Sequence, residues 1–213
     1  MTVILKQHKL FCANVPKVAC TSIKRMFFEI ENGFPFQPYR ANGHVWHIHA
    51  FYKGVLRRDF PESAIAQYRR LAVVRHPIKR FLSAYSNRVV HHKEISESAV
   101  RKLGGFKRPP ASPDLGEFVD RFETYQKIQS IGWHCRPMVD FLGHDPNYYQ
   151  GLYGIHQIDE FLDDVANSVG KRYEVGRYQT GGPKFSPSDL TAKQTAKLEK
   201  FYAADYKAFS QYF

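Results

Sequence analysis

Two short apolar runs, each followed within a few residues by a helical stripe, constrain this chain more than any other feature. Lys9 to Val15 (Lys-Leu-Phe-Cys-Ala-Asn-Val) stops at Pro16, which predicts a buried strand ended where proline removes a ladder donor. From Ser22 the apolar residues Ile23, Met26, Phe27 and Ile30 recur at helical spacing, so a helix lays one face on the sheet directly after a loop. Leu71-Ala72-Val73-Val74 repeats the arrangement. Arg75-His76-Pro77 follows it, then a stripe of Ile78, Phe81, Leu82, Tyr85 and Val89, with Pro77 suited to a first helical turn. A fainter copy runs from Gly151–Ile155 into Ile158, Phe161, Leu162, Val165 and Val169, and Tyr173-Glu174-Val175 predicts one more strand. Strands alternating with helices imply an α/β fold with a central, mostly parallel sheet flanked by helices.

With 213 residues, the expectation is a single domain spanning 1–213. Residues 91–113 interrupt it with His-His-Lys-Glu, paired glycines and Pro109-Pro110, a composition that predicts a surface insertion with a lid role. At the C-terminal end Thr191 and Gln194 have capping-box spacing before a long amphipathic helix of Leu198, Phe201, Tyr202, Tyr206 and Phe209. Hydrophobic residues at 43% exclude a disordered chain, and Cys12, Cys20 and Cys135 have no metal-ligand or paired spacing, so free thiols in a reducing cytoplasm are expected. No run approaches the about 20 apolar residues of a membrane span, and no signal peptide or anchor is recognisable. Lys+Arg 31 against Asp+Glu 20 gives +11, which points to an anionic partner. The doublets Lys24-Arg25, Arg57-Arg58, Arg69-Arg70, Lys107-Arg108 and Lys171-Arg172 carry much of that surplus and are expected on solvated surface.

Ligands of open α/β sheets bind at the carboxyl ends of strands, where helix N-termini offer free N–H groups to anions. Two segments have that placement. Pro16-Lys17-Val18-Ala19-Cys20-Thr21-Ser22 puts a lysine, small residues and two hydroxyls between strand and helix, as a phosphate-cradling loop requires; it lacks the Gly-x-x-x-x-Gly-Lys order of a Walker loop. A plain connection capped by Thr21 or Ser22 fits the same residues. In the second segment Arg75 ends a strand and Ser83 follows on the next helix, a pair able to hold a phosphate by guanidinium and hydroxyl, or else a surface arginine and a solvated serine.

Together these segments resemble the PAPS-dependent sulfotransferases, in particular the carbohydrate O-sulfotransferases of chondroitin, dermatan and HNK-1 type. Pro-Lys-Val-Ala-Cys-Thr-Ser is similar to that family's 5′-phosphosulfate loop, and Val-Arg-His-Pro-Ile-Lys-Arg-Phe-Leu-Ser-Ala-Tyr to its 3′-phosphate segment. His134-Cys135-Arg136-Pro137-Met138 resembles a degenerate His-Trp-Arg-Pro-Gln element, and Phe201–Phe209 its terminal helix. The resemblance implies a P-loop-like, nucleotide-binding sulfotransferase fold, PAPS as donor, adenosine 3′,5′-bisphosphate as product and no required metal. It assigns Lys17 to the bridging oxygen of the breaking bond, Thr21, Ser22 and the loop backbone to the 5′-phosphate, and Arg75 and Ser83 to the 3′-phosphate. The acceptor it implies is a carbohydrate or another hydroxylated molecule, itself acidic if the charge surplus serves it. The lack of an anchor then suggests a cytoplasmic bacterial enzyme.

An acceptor hydroxyl needs a base, and Asn42-Gly43-His44-Val45-Trp46-His47-Ile48-His49 is the densest histidine cluster. The resemblance aligns His44 with the family's base. His47 and His49 match less well and suit one face of a strand or a surface, and their spacing also permits zinc. Arg177 lies where sulfotransferases place a late loop over the nucleotide, before Gly181 and Gly182, a segment that reads equally as a glycine turn. Trp46 and Trp133 suit stacking on an adenine or sugar ring, or burial. A non-catalytic basic module for nucleic acid or acidic glycans, and a P-loop small-molecule kinase, are the competing classes; the first lacks aromatics interleaved with a basic stripe, the second the Gly-Lys-Ser/Thr order. No nucleic-acid partner is expected.

Overall fold

A computed structural model describes residues 2–104, 108–176, 178 and 181–213. The chain divides into two compact units, one of Met1–Arg75, Met138–Gln179 and Ala208–Phe213, the other of His76–Pro137 and Thr180–Lys207.

The first unit holds a four-stranded sheet in the order β1 (Thr2–Leu5), β2 (Leu10–Ala13), β5 (Arg69–Val74), β6 (Gly151–Gly154). β1 pairs antiparallel with β2, while β2–β5 and β5–β6 are parallel, so the expected α/β architecture is present and the two apolar runs are its central strands. Buried on both faces, β2 and the last four residues of β5 are apolar throughout rather than alternating. Helix α1 (Cys20–Asn32) starts two residues before the apolar stripe implies, which puts Thr21 and Ser22 in its first turn. Its Phe27 meets Phe161 of the Ile158–Val169 helix edge to face at 6.4 Å. That helix is fastened to the sheet by Asp164, which accepts two hydrogen bonds from Arg69 at 2.7 and 2.8 Å and one from the Tyr153 hydroxyl at 2.6 Å. A Cβ at Gly151 would come within 2.6 Å of both Asp164 Oδ2 and Leu71 Cδ2, so glycine there permits the close approach.

A separate hairpin of β3 (Tyr39–Ala41) and β4 (His44–Trp46) turns through Asn42 (φ +52°) and Gly43 (φ +75°), the left-handed pair a tight two-residue turn demands. Tyr39 and Trp46 face each other across it, stacked with an interplanar angle of 10°. Helix α2 (Ile48–Phe51) follows, and Ile48 packs with Phe28 and Phe36 in a small core of its own. The predicted strand at Tyr173–Val175 does not form: these residues pair with no strand among the described residues.

The second unit is helical. The Pro77–Ala84 helix begins with proline at its first turn as expected, then widens into a π-helical segment at Tyr85–His91, so Val89 stays buried although the helix type changes. Phe81, Phe118, Phe122, Tyr125, Leu198 and Tyr202 form the centre of its core. Within 91–113, Ile95 and Val100 enter that core, and Tyr85 and Tyr125 donate hydrogen bonds to the carbonyls of Pro113 and Pro110. The Thr191–Gln194 capping box is present, but the long terminal helix breaks at Tyr202 into Ala192–Phe201 and Ala203–Phe209. Tyr202 is fully buried and its hydroxyl bonds to the Cys135 carbonyl at 2.6 Å.

Candidate active site

After β2 the chain passes through Asn14 and Val15, both buried, and reaches a loop whose backbone is left-handed twice without glycine: Lys17 has φ +67° and Ala19 φ +48°. Val18 between them is buried. Alternation of this kind turns successive N–H groups toward one side, the concave arrangement that accepts anions. Ala19 is also the N-cap of α1, and no side chain caps that end, so the first-turn N–H groups of Cys20, Thr21 and Ser22 remain for a ligand, while Ile23 N–H bonds to Ala19 O at 3.0 Å. Neither Thr21 nor Ser22 is the cap of this helix, contrary to the capping role that a plain connection was expected to give them. Ser22 is buried, whereas Lys17, Cys20 and Thr21 are half-buried.

Arg75, at the end of β5, donates from Nη1 to the Lys17 carbonyl at 3.1 Å, so the structure brings the two strand-end cations of the sequence reading to one loop. Ser83 lies half-buried on the Pro77–Ala84 helix of the second unit. Arg177 falls outside the described residues.

The histidines separate. His44 sits exposed on β4, His47 precedes α2 and is exposed, and His49, on α2, reaches the loop: its Nε2 is 3.0 Å from Thr21 Oγ1 and its Nδ1 3.1 Å from Lys24 Nζ. Lys24 is fully buried, against the expectation of solvated surface for its doublet, and also donates to the Tyr52 carbonyl. Burial pushes its ammonium down to about 8, with Cys20 acting in the opposite sense. Lys24 does not stand out in sequence, and nothing local separates His49 from the other clustered histidines, because the contacts of His49 with Lys24 and Thr21 span 25 and 28 residues. The described residues hold no group of three or more His, Cys, Asp or Glu placed to bind a metal.

Trp46 is part of an exposed aromatic surface with Phe34, Tyr39 and Phe51 rather than buried. Within the second unit, His134 and Arg136 of the His134–Met138 element serve as an internal fastening. Arg80, fully buried, donates to the carbonyls of His134 (3.1 Å) and Arg136 (2.5 Å), and Arg88 donates from Nε and Nη2 to His134 Nε2. Cys135 and Met138 are buried. Cys12 is also buried, which pushes its thiol up to about 12 and leaves it unreactive. No described helix is long and apolar enough to cross a membrane.

The model of the sulfotransferase family matches residues 1–212. Carbohydrate sulfotransferase 11 of Rattus norvegicus and of Mus musculus are each 28% identical over 109 residues, a match covering 47% of this chain and 31% of the relative. The chain thus aligns with less than a third of the length of these relatives. No solved structure gives a significant match. The family match extends over the β2 loop, Arg75 and everything between them, and the chain belongs to the sulfotransferase family.

Proposed function

We propose that this chain transfers a sulfuryl group from PAPS to a hydroxyl of a carbohydrate acceptor. The observation that carries the reading is the loop at residues 16–22: two left-handed residues, an uncapped helix N-terminus and Lys17, with Arg75 bonded to its backbone, in a family-matched chain. These residues fit a phosphosulfate, since all charge offered at the loop is positive and α1 has no acidic residue in its first turn.

In the transfer, the bond between sulfur and the bridging oxygen of the donor breaks as a bond from sulfur to the acceptor oxygen forms in line. The protein mainly positions both ends and stabilises charge on the departing phosphate. Lys17 neutralises the bridging oxygen. Thr21, Ser22 and the N–H groups at Val18 through Ser22 hold the 5′-phosphate; the family resemblance assigns the 3′-phosphate to Arg75 and Ser83 and a nucleotide contact to Arg177. His44 accepts the acceptor's hydroxyl proton. A carbohydrate acceptor is favoured by the names of the relatives, and the +11 surplus favours an acidic one.

Thermal shift with adenosine 3′,5′-bisphosphate, ATP and an oligonucleotide tests the reading. The bisphosphate should raise the melting temperature most; stabilisation by ATP or DNA without the bisphosphate would sink the proposal. His44→Ala should lower turnover at unchanged bisphosphate affinity, and near-normal turnover would remove His44 as base.

A further inference from the structure

A buried lysine with no carboxylate paired to it among the described residues calls for a function, and the contacts of Lys24 supply one. An ammonium has three N–H donors and no acceptor. Its bond to His49 Nδ1 therefore requires that nitrogen to be unprotonated, and a neutral imidazole must then carry its hydrogen on Nε2. That hydrogen faces Thr21 Oγ1 at 3.0 Å, so Thr21 accepts it. A hydroxyl has one hydrogen and accepts through its lone pairs; with His49 occupying the acceptor side, the Thr21 hydrogen is left to point elsewhere, in the first turn of the uncapped helix.

We propose that Lys24 and His49 form a relay that fixes Thr21 as a hydrogen-bond donor to the phosphate bound at the N-terminus of α1, with His49 a positioning residue. The inference rests on the sulfotransferase reading for the identity of that phosphate. Without the relay the Thr21 hydroxyl rotates and its imidazole neighbour is free to present either nitrogen; with it, the polarity of three groups is set by one buried charge. The Tyr52 carbonyl holds the lysine from the same side of the hairpin segment, so α2 and the residue after it supply both of its acceptors. The relay also removes His49 from the candidate bases. Its Nε2 already carries a hydrogen, and its Nδ1 is occupied by the ammonium.

The test is a double-mutant cycle on bisphosphate affinity. His49→Phe keeps a ring and loses both nitrogens; Thr21→Val keeps the shape and loses the hydroxyl. Each should weaken binding of adenosine 3′,5′-bisphosphate by about tenfold, as expected for one hydrogen bond to a charged group, and the double variant should weaken it hardly further. The acceptor KM should not move. His49→Gln, whose amide places an N–H near Nε2, should recover most of the loss and keeps the test valid if the phenylalanine variant folds poorly. Additive losses, wild-type affinity in His49→Phe, or no recovery in His49→Gln would each overturn the relay. A wild-type chain that fails to bind the bisphosphate overturns the underlying reading as well, and is a separate result from a wild-type that binds and variants that bind equally.

Discussion

Replacing Lys24 by methionine changes how stability depends on pH, with a sign fixed by its burial. Lys24 is fully buried, and its pKa falls from 10.5 in the unfolded chain to about 8 in the folded one, chiefly because burial disfavours the charged form. Each pK unit corresponds to about 1.4 kcal/mol, so holding the charge inside costs the native state about 3 kcal/mol at neutral pH. Below the folded pKa both states carry the proton and the full penalty applies. Between the folded and unfolded values the native lysine is neutral while the unfolded one is charged. The unfolded state then binds more protons, and stability rises with pH. Other groups act oppositely higher up: burial raises the Cys12 thiol and the Tyr52 and Tyr149 phenols, so the native state keeps protons that the unfolded chain loses. Subtracting the Lys24→Met variant cancels these shared contributions. Methionine strands the Tyr52 carbonyl and His49 Nδ1, which lowers its stability by a pH-independent amount. Urea unfolding of both proteins from about pH 7 to pH 10.5 should show wild type gaining about 3 kcal/mol relative to the variant over that range. A difference that stays flat would refute the reasoning, because it would mean that Lys24 titrates at its ordinary value.

Lys17→Ala should lower sulfuryl transfer by at least about a hundredfold with the melting temperature unchanged, measured with labelled donor, since the role proposed for the side chain is on developing charge and it is half-buried in a loop. Arg80→Met should cost on the order of 3 kcal/mol in denaturant unfolding, because it strands the His134 and Arg136 carbonyls and removes the cation over the Tyr202 ring. Ala19→Gly should raise stability by about 1 kcal/mol, the cost of a left-handed alanine, with activity retained; a loss of stability would show that the side chain of Ala19 packs usefully.

The central strands and their following helices were legible because each depends on local pattern: an unbroken apolar run suits a strand buried on both faces, and a 3.6-residue stripe suits the helix laid over it. Pro77 and the Thr191–Gln194 box marked helix starts for equally local reasons. The Asn42-Gly43 hairpin was readable by the same means, as the dipeptide that most favours a tight turn, yet the histidines around it dominate the reading of that segment. What local pattern does not carry is partnership over distance. Lys24 and Arg80 each belong to basic pairs, Lys24-Arg25 and Lys79-Arg80, of which only Lys79 is exposed; the fold alone reveals that His49 and the His134 and Arg136 carbonyls await Lys24 and Arg80 inside. The same applies to Tyr173–Val175, β-prone in composition but without a strand to pair with among the described residues.

The glycine-free loop gives a physical reason for the bond that joins the two strand-end motifs. A left-handed non-glycine residue costs about 1–2 kcal/mol, and this loop contains two, so surrounding structure must hold it. Two anchors do so. Val18, between the strained residues, is buried, and the Arg75 guanidinium bonds to the carbonyl of Lys17 from the end of the neighbouring strand. β2 and β5 are hydrogen-bonded parallel partners, so their carboxyl ends lie side by side and the arginine needs to span only one strand spacing. Arg75 therefore has a structural duty at the loop of residues 16–22 in addition to its proposed contact with the 3′-phosphate. The consequence for interpretation is specific. Arg75→Lys, which lacks the planar fork and releases the Lys17 carbonyl, should lower turnover with labelled donor by more than the loss of one phosphate contact; a loss no larger than that of Ser83→Ala would refute the structural duty.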